Sequence, residues 1–225
     1  MEDGKVMNKL NILYEDNHII VVEKPVNVLS QSDATGDIDL LTMVKQYVKV
    51  KYNKPGNVYI GLVHRLDRPV GGVMVFARSS KAASRLNMEQ LDHGFSKNYL
   101  AVIDGFLKSK KGRFADKLKK LPDGNTIVSS DGKEAILDYE VLEENHKTGH
   151  SLVSIKLLTG RHHQIRVQFA SRGHALCGDQ RYGKQDNTQL ALFANRLEFT
   201  HPVTKERMSF SLDKPNYSYW TEFTM

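Results

Sequence analysis

The segment that most constrains this chain is a polar turn that runs directly into a wholly apolar stretch. Residues 63–72 read Val-His-Arg-Leu-Asp-Arg-Pro-Val-Gly-Gly, and residues 73–77 read Val-Met-Val-Phe-Ala. Pro69 fixes one backbone angle, and the two glycines permit conformations that other residues resist. The apolar stretch predicts a buried strand. The segment therefore predicts a polar loop that a buried strand holds rigidly in place.

The chemistry of this loop centres on one carboxylate. Asp67 stands between Arg65 and Arg68, and His64 lies next to them in the sequence. Two cations around one anion predict that Asp67 stays ionised and that positive charge remains for a polyanion. A surface turn with a local salt bridge is the structural alternative, because structural ion pairs also perturb carboxylates. The remaining motifs of the chain decide between the two interpretations.

The composition favours a globular protein with a nucleic-acid partner. The chain has 225 residues, enough for one large domain or two small ones, and its formal net charge is +6. A moderate basic excess is compatible with RNA or DNA. A membrane surface ranks lower as the anionic partner, because no long basic amphipathic helix and no lipidation signal is present.

The sequence also predicts a cellular compartment. Cys177 is the single cysteine, which excludes an internal disulfide and indicates a reducing environment. Residues 1–5 are polar and acidic, unlike a signal peptide, and no apolar run approaches the length of a membrane span. We therefore expect a cytoplasmic protein.

Periodicity and turn signals predict an α+β fold. We expect a single domain over residues 1–225, with its core at about 10–212. The sheet should be mixed but mostly antiparallel and flanked by helices. Residues 190–195 fit a short helix or an extended segment. The predicted strands are 10–15, 19–24, 73–78, 97–104, 134–144, 151–158, 196–199 and 208–210, and the predicted helices are 39–51, 79–91 and about 159–173.

A run of basic residues between 108 and 120 has two interpretations. A charge run is usually a solvated face. Here it precedes the turn signals Pro-Asp-Gly-Asn at 122–125 and Asp-Gly at 131–132, which predict a β-hairpin with basic strands. Such a hairpin can grip phosphates through Lys117, Lys119 and Lys120.

Five ordered elements resemble the RluA family of RNA pseudouridine synthases. They extend over nearly the whole chain, from about residue 10 to 212. The resemblance implies that residues 1–225 form a single catalytic domain with a central catalytic cleft and no separate N-terminal RNA-binding domain. The family usually has Asp-Thr-Ser-Gly where this chain has Pro-Val-Gly-Gly at 69–72. The elements are the hairpin at 11–30 with its Lys-Pro, His-Arg-Leu-Asp-Arg at 64–68, Lys-Asn-Tyr-Leu-Ala-Val at 97–102, Gly-Arg-His-His-Gln-Ile-Arg at 160–166, and Gly-Asp at 178–179 with Tyr182.

The resemblance implies the catalytic residues. Asp67 takes the place of the essential aspartate, and Arg166 that of the arginine that pairs with it and orients it. Tyr99 takes the place of the tyrosine that stacks beneath the target base, and its hydroxyl is a candidate for proton transfer at C5. Without the resemblance, a core tyrosine and a solvated arginine would be the expected interpretations.

The resemblance also implies how RNA is bound. Arg65 would fill the gap left when the target uridine leaves its stack, and Ile165 would lie near the flipped base. We assign substrate binding to His64, Arg65, Arg68, Arg161, Gln164 and Ile165, together with Lys117, Lys119 and Lys120.

The predicted reaction needs no cofactor, since nothing is oxidised and no group leaves. No phosphate-cradling glycine motif is present, and the histidines do not match a zinc pattern, so we expect no metal site. The partner should be ribosomal or transfer RNA, and the protein should be a monomer. A non-catalytic RNA-binding or ribosome-assembly factor on the same fold is the alternative. A glycosidase would need a second acid near Asp67, which the local sequence lacks.

Overall fold

A computed structural model describes residues 10–224. The polar N-terminal residues 1–5 lie outside this range. The described residues divide into two compact units. The first comprises residues 10–95 and 196–212, and the second comprises 96–195 and 213–224. Our expectation of one catalytic domain with a central cleft stays a prediction.

The first unit is built on antiparallel strands. Its sheet follows the order β1-β2-β4-β10, with β3 paired to β4 and β11 paired to β10. The turn between β1 and β2 is stabilised by Asp16, whose Oδ1 accepts from the amides of His18 and Ile19 at 2.7 and 2.8 Å. The strands are β1 (Ile12–Glu15), β2 (Ile19–Lys24), β3 (Gly61–Leu62), β4 (Gly71–Ala77), β10 (Leu192–Thr200), which begins in the second unit, and β11 (Arg207–Ser211).

Both helices of the first unit begin within one residue of the predicted starts. α1 (Leu40–Lys51) starts after Asp39, whose carboxylate accepts from the Thr42 amide, and α2 (Ser80–Leu91) starts after Ser79, whose hydroxyl oxygen accepts from the Ala82 amide. These bonds satisfy amides that the first helical turn leaves unpaired. The apolar face of α2 is buried against the sheet, with Leu86 and Phe199 fully buried.

The second unit contains a five-stranded antiparallel sheet in the order β5-β9-β8-β6-β7. Strand β6 alternates between buried Phe114 and Leu118 and exposed basic residues, as expected for a sheet with one solvated face. The strands are β5 (Ser96–Asp104), β6 (Lys111–Lys120), β7 (Thr126–Val128), β8 (Lys133–Asn145) and β9 (His150–Leu157).

One α-helix and one 3-10 helix complete the second unit. α3 (Gln164–Ala170) is shorter than the predicted 159–173, because residues 159–163 form a turn in which His163 has a positive φ of 51°. The 3-10 helix Ser218–Glu222 was not predicted, and it buries Trp220.

The predicted α+β class with a mostly antiparallel sheet is confirmed. Residues 190–195 are extended rather than helical, because β10 begins at Leu192 and continues through the strand predicted at 196–199. Strand β4 begins at Gly71, two residues before the predicted start. Among the described residues, no helix combines the length and the apolar character that crossing a membrane requires.

Candidate active site

Asp67 opens a tight turn in the first unit. Its carbonyl accepts from the amide of Val70 at 3.0 Å, and the residue is half-buried. Arg68 does not serve as the expected cation beside Asp67, because its Nη2 pairs with Asp37 Oδ2 at 2.7 Å. Arg65 is exposed and makes no ion pair within the described residues. The prediction that Arg65 and Arg68 are the cations paired with Asp67 is therefore wrong.

A buried lysine holds the turn instead. Lys24, at the end of β2, is 0% exposed, and its Nζ donates to the carbonyls of Pro25, Arg68 and Val70 at 3.0, 3.0 and 2.8 Å. These three acceptors match the three protons of an ammonium group. Burial lowers the pKa of Lys24 to about 7, while the negative charge of Asp67 acts in the opposite direction. Lys24 thus tethers the turn and places a cation in the electrostatic environment of Asp67.

A serine and a glycine fix the two ends of the same loop. Ser30 Oγ donates to the carbonyl of Leu66 at 2.7 Å and accepts from its amide at 3.0 Å, so the residue before Asp67 is held at both polar groups. After the turn, Gly72 pairs with Lys24 across the sheet and has a φ of 129°. Side chains disfavour that conformation, which confirms the special role expected of a glycine here.

His64 points into the first unit rather than toward solvent. The residue is 8% exposed, its Nε2 accepts from the amide of Val75 at 3.2 Å, and its ring contacts Phe95 edge-on. This contact attaches the segment before Asp67 to the middle of β4. The geometry gives His64 a structural role and does not favour the predicted contact with RNA.

In the second unit, Arg166 is paired with Asp179, a partner that the sequence analysis did not predict. Arg166 Nε and Nη2 donate to Asp179 Oδ2 and Oδ1 at 2.8 and 2.7 Å, with Asp179 fully buried. Burial alone would raise the pKa of Asp179. The hydrogen bonds from Arg166 and from the amides of Tyr182 and Arg181 outweigh burial and hold the pKa below its usual value. The ring of Tyr182 lies 5.2 Å from the guanidinium.

Glycine is required immediately before Asp179. Gly178 has a φ of 72°, and a Cβ at this position would lie 2.3 Å from the carbonyl oxygen of Gln189. In this Gly-Asp pair, the backbone conformation requires the glycine, and the aspartate binds Arg166.

Gln164 organises the loop before α3. Its Oε1 accepts from Thr159 Oγ1 at 2.8 Å and from the Arg161 amide at 3.0 Å, and its Nε2 donates to the carbonyl of Ile136 at 3.0 Å. Because Gln164 is only 3% exposed, its position favours a structural role over the predicted substrate contact. Ile165 is also buried, and its proximity to a flipped base stays a prediction.

Tyr99 lies on β5, opposite Ile155 of β9, and is 8% exposed. Lys97 is two residues away and therefore projects to the same face of the strand. Burial lowers the pKa of Lys97 to about 8. A tyrosine and a partly desolvated lysine thus share one face of β5.

The predicted basic hairpin divides into two halves. In the first half, Lys111 and Arg113 pair with Glu140 and Asp138 of β8, at 2.8 and 2.6 Å. Cross-strand acids thereby neutralise this part of the run. Lys119 is also paired, to Asp131.

The second half keeps uncompensated charge. Lys117 and Lys120 are exposed and have no acidic partner among the described residues. Arg161 is exposed as well, and its Nε donates to the carbonyl of Glu134 at 2.7 Å. These three residues are the predicted phosphate contacts that the second unit presents to solvent without an acidic partner among the described residues.

The predicted catalytic residues are distributed over both units, Asp67 in the first and Tyr99 and Arg166 in the second. Their meeting in one cleft stays a prediction. Sequence analysis missed Lys24 and Asp179, although the Lys-Pro and Gly-Asp motifs contained them. Within residues 10–224, no group of three or more His, Cys, Asp or Glu side chains is arranged to hold a metal ion.

Comparison with known proteins identifies the class of enzyme. The model of the family described as RNA pseudouridylate synthase matches residues 18–171, a range that includes Asp67, Tyr99 and Arg166. The chain belongs to this family, whose members are isomerases that convert uridine to pseudouridine in RNA.

Curated relatives support this assignment. The chain is 35% identical over 204 residues to an uncharacterised RNA pseudouridine synthase of Bacillus subtilis, with 88% of this chain and 66% of the relative covered. It is 31% identical to ribosomal large subunit pseudouridine synthase D of Zymomonas mobilis, covering 92% and 69%. It is 32% identical to tRNA pseudouridine synthase C of Haemophilus ducreyi, covering 90% of both chains. The chain thus spans about two thirds of the first two relatives.

A solved structure shares the fold. Human RNA pseudouridylate synthase domain containing 4 matches with a TM-score of 0.77 at 19% identity, covering 94% of this chain and 90% of that one. The likeness confirms the fold class, and the family assignment rests on the sequence comparisons.

Proposed function

We propose that this chain isomerises specific uridines to pseudouridine in ribosomal or transfer RNA, with Asp67 as the catalytic carboxylate. The observation that carries the assignment of Asp67 is its loop. A fully buried ammonium group, Lys24, tethers the turn through two of its carbonyls, and Ser30 binds the residue before it. A half-buried carboxylate on so fixed a loop is preorganised for chemistry rather than for a surface ion pair. The relatives named for ribosomal and transfer RNA supply the two substrate classes.

The reaction is a rearrangement within one nucleotide. The bond from N1 to C1′ breaks, a bond from C5 to C1′ forms, C5 loses its proton and N1 gains one. An ionised carboxylate can attack C1′ or C6, or can abstract a proton from the sugar. We keep all of these routes for Asp67, since each requires a charged oxygen held at the nucleotide.

In this proposal Arg166 and Tyr99 complete the site. The bidentate bond to Asp179 fixes the plane of the Arg166 guanidinium, which suits it to orienting a second carboxylate. Tyr99 supplies a ring for stacking the base and a hydroxyl for proton transfer at C5. Because the reacting base must leave its stack, we assign the exposed Arg65 to filling the gap.

The Asp67→Asn variant tests the catalytic assignment. Asparagine keeps the volume and hydrogen-bonding capacity of aspartate but lacks the negative charge, so the loss should fall on the chemical step. We expect RNA binding close to that of the unsubstituted protein and no detectable pseudouridine. The measurement is single-turnover pseudouridine formation with enzyme in excess, on total RNA from cells that lack the gene.

A matched control removes a carboxylate elsewhere in the first unit. Asp33 is exposed in the loop before α1 and bonds only to Thr35, so Asp33→Asn should retain the rate. Pseudouridine formation by Asp67→Asn near the unsubstituted rate would overturn the assignment. It would favour the non-catalytic RNA-binding or ribosome-assembly factor as the alternative function, which family membership disfavours.

We further propose a cytoplasmic monomer. The single cysteine, Cys177, is buried, and burial raises its pKa to about 12, which fits an unreactive thiol in a reducing compartment. Light scattering on a sizing column tests the monomer. A dimer mass at micromolar concentration would contradict it.

A further inference from the structure

The second unit contains a basic cavity outside the predicted catalytic residues. Its volume is about 420 Å³, within the range of small-molecule sites. The walls come from β6, β7, the start of β8 and the loop before α3. Four cationic side chains line it against one acid, Asp131. The cations are Lys119, Lys120, Lys133 and Arg161.

The positive charge of this cavity is largely uncompensated. Asp131 is occupied by Lys119 and by the hydroxyl of Ser129. Lys120 and Lys133 are exposed, and within residues 10–224 neither has an acidic partner. A phosphate group in the cavity would therefore meet at least two lysines without displacing an existing ion pair.

The cavity also has an aromatic wall. His162 lines it and is exposed, although two contacts hold its ring in place. One face stacks on His163, with ring centroids 3.7 Å apart, and Nδ1 lies 2.8 Å from the buried hydroxyl of Thr126. An exposed aromatic ring that is held in a fixed orientation is what a nucleobase needs for stacking.

The ring beneath His162 is neutral and well anchored. Tyr182 Oη accepts from the Thr126 amide at 2.9 Å and lies 2.8 Å from Nδ1 of His163. Burial, together with the nearby charge of Arg166, lowers the pKa of His163 to about 3. His162 therefore stacks on a neutral ring at physiological pH.

We propose that this cavity binds one unpaired nucleotide of the RNA substrate, with its base stacked on His162 and its phosphate between Lys120 and Lys133. A phosphate alone would not use the aromatic wall, and a base alone would not use the lysines. The inference rests on the proposed function, because it assumes that RNA is the ligand. It adds a second nucleotide site, separate from the one that would receive the target uridine.

Two fluorescent probes of equal length test the base contact. The first is decauridylate, and the second is a ten-unit ribose-phosphate chain without bases. We expect His162→Ala to weaken binding of decauridylate about tenfold and to leave the baseless chain within about twofold. His162→Phe keeps an aromatic face and should retain most of the affinity for decauridylate. Lys120→Ala and Lys133→Ala should weaken both probes, because both carry the phosphates.

Control variants separate the cavity from general effects. His146→Ala removes an exposed histidine, and Lys147→Ala an exposed lysine, from the turn between β8 and β9. Neither should change the ratio of the two affinities. Circular dichroism and a thermal melt of His162→Ala establish that the variant folds.

Three results would overturn the inference. The first is that His162→Ala binds decauridylate as the unsubstituted protein does. The second is that His162→Ala loses affinity for both probes equally, which would indicate phosphate contacts alone. The third is that uridine 5′-monophosphate competes as tightly as decauridylate, which would indicate a free nucleotide as the ligand. The proposed function fails separately, when the unsubstituted protein forms no pseudouridine although the His162 effect on binding is present.

Discussion

Arg166 and Asp179 form a two-point ion pair inside the second unit, with both hydrogen bonds shorter than 2.9 Å and the carboxylate fully buried. The backbone amides of Arg181 and Tyr182 also donate to the Asp179 carboxylate. The orientation of Arg166 is therefore set by the loop that follows Gly178. Two carboxylates contribute to the proposed site in different ways, Asp67 in the chemistry and Asp179 in positioning.

Asp179→Asn should destabilise the protein strongly. Removing one partner of a buried ion pair takes from the other its main counter-charge and costs roughly 3–5 kcal/mol. Since the folded protein holds the pKa of Asp179 below that of the unfolded chain, the stabilisation is present above about pH 4. It is lost as pH falls through the folded value. Urea unfolding at pH 7 and at pH 2 measures both effects.

The control for this prediction is Asp138→Asn, which breaks the solvent-exposed pair with Arg113. Exposed ion pairs contribute little to stability, so the urea concentration at the midpoint of unfolding should move far less in this variant than in Asp179→Asn. Equal shifts in the two variants would show that burial of the Asp179 pair is not what matters.

Because of Lys24, the free energy of unfolding should rise with pH in the alkaline range. The pKa of Lys24 is about 7 in the folded protein and about 10.4 in an unfolded chain. Between these values the unfolded chain binds more protons, so the free energy of unfolding rises with pH, by about 5 kcal/mol in all. Below pH 7 the full cost of burying the ammonium remains. Lys24→Met cannot titrate and should lack this rise.

Urea unfolding of the two proteins at pH 6, 8 and 10 provides the comparison. The difference in free energy between the unsubstituted protein and Lys24→Met should move in favour of the lysine as pH increases. A constant difference would mean that the folded pKa of Lys24 is not lowered. Lys45, which is half-buried on α1, provides a matched Lys→Met control.

Neighbouring lysines of β6 should contribute unequally to RNA binding. Lys120 has no acidic partner among the described residues, whereas Lys119 is paired with Asp131. Lys120→Ala should therefore reduce the slope of log affinity against log salt by about 0.7–0.9, and Lys119→Ala by less. Fluorescence anisotropy with decauridylate at 50 to 200 mM salt measures the slopes. Equal slopes for the two variants would show that the ion pair with Asp131 does not matter for binding.

Much of the fold follows from local sequence. The starts of α1 and α2 were predicted because Asp39 and Ser79 satisfy amides only three residues away. The hairpin of β1 and β2 was predicted because its turn is closed by Asp16 within the same few residues. Such interactions can be inferred from spacing alone.

The supports of the site depend on distant residues. Lys24 binds carbonyls 44 and 46 positions away, and Ser30 binds a residue 36 positions away. Spacing gave no sign that Arg68 pairs with Asp37 rather than Asp67. Once an ion pair or a buried donor connects separate elements, its partner is fixed by tertiary packing, which the sequence does not display.

The backbone bonds of buried polar residues were missed for the same reason. His64 and Gln164 stand in polar motifs and were predicted to bind substrate, yet both bond to backbone groups inside their units. The 3-10 helix around Trp220 was missed because a single buried tryptophan supplies no periodic pattern.

Tyr99 offers a way to separate stacking from proton transfer. Tyr99→Phe keeps the ring and loses the hydroxyl, whereas Tyr99→Ala loses both. A hydroxyl that transfers a proton contributes about 10²- to 10⁴-fold to the rate, so we expect a loss of that order in Tyr99→Phe with RNA affinity largely retained. Tyr99→Ala should lose affinity as well, because stacking is removed. Single-turnover rates and binding, measured on the same RNA, give both quantities.

The control is Tyr139→Phe, which removes a hydroxyl from a half-buried tyrosine of β8 that packs on Phe114 and Phe169. It should retain the rate. If Tyr99→Phe also keeps the full rate while Tyr99→Ala does not, Tyr99 acts through its ring alone. The proton of C5 must then leave through another group, for which Lys97 is the first candidate. It shares a face of β5 with Tyr99, and burial lowers its pKa to about 8, near the value that suits a general base at neutral pH.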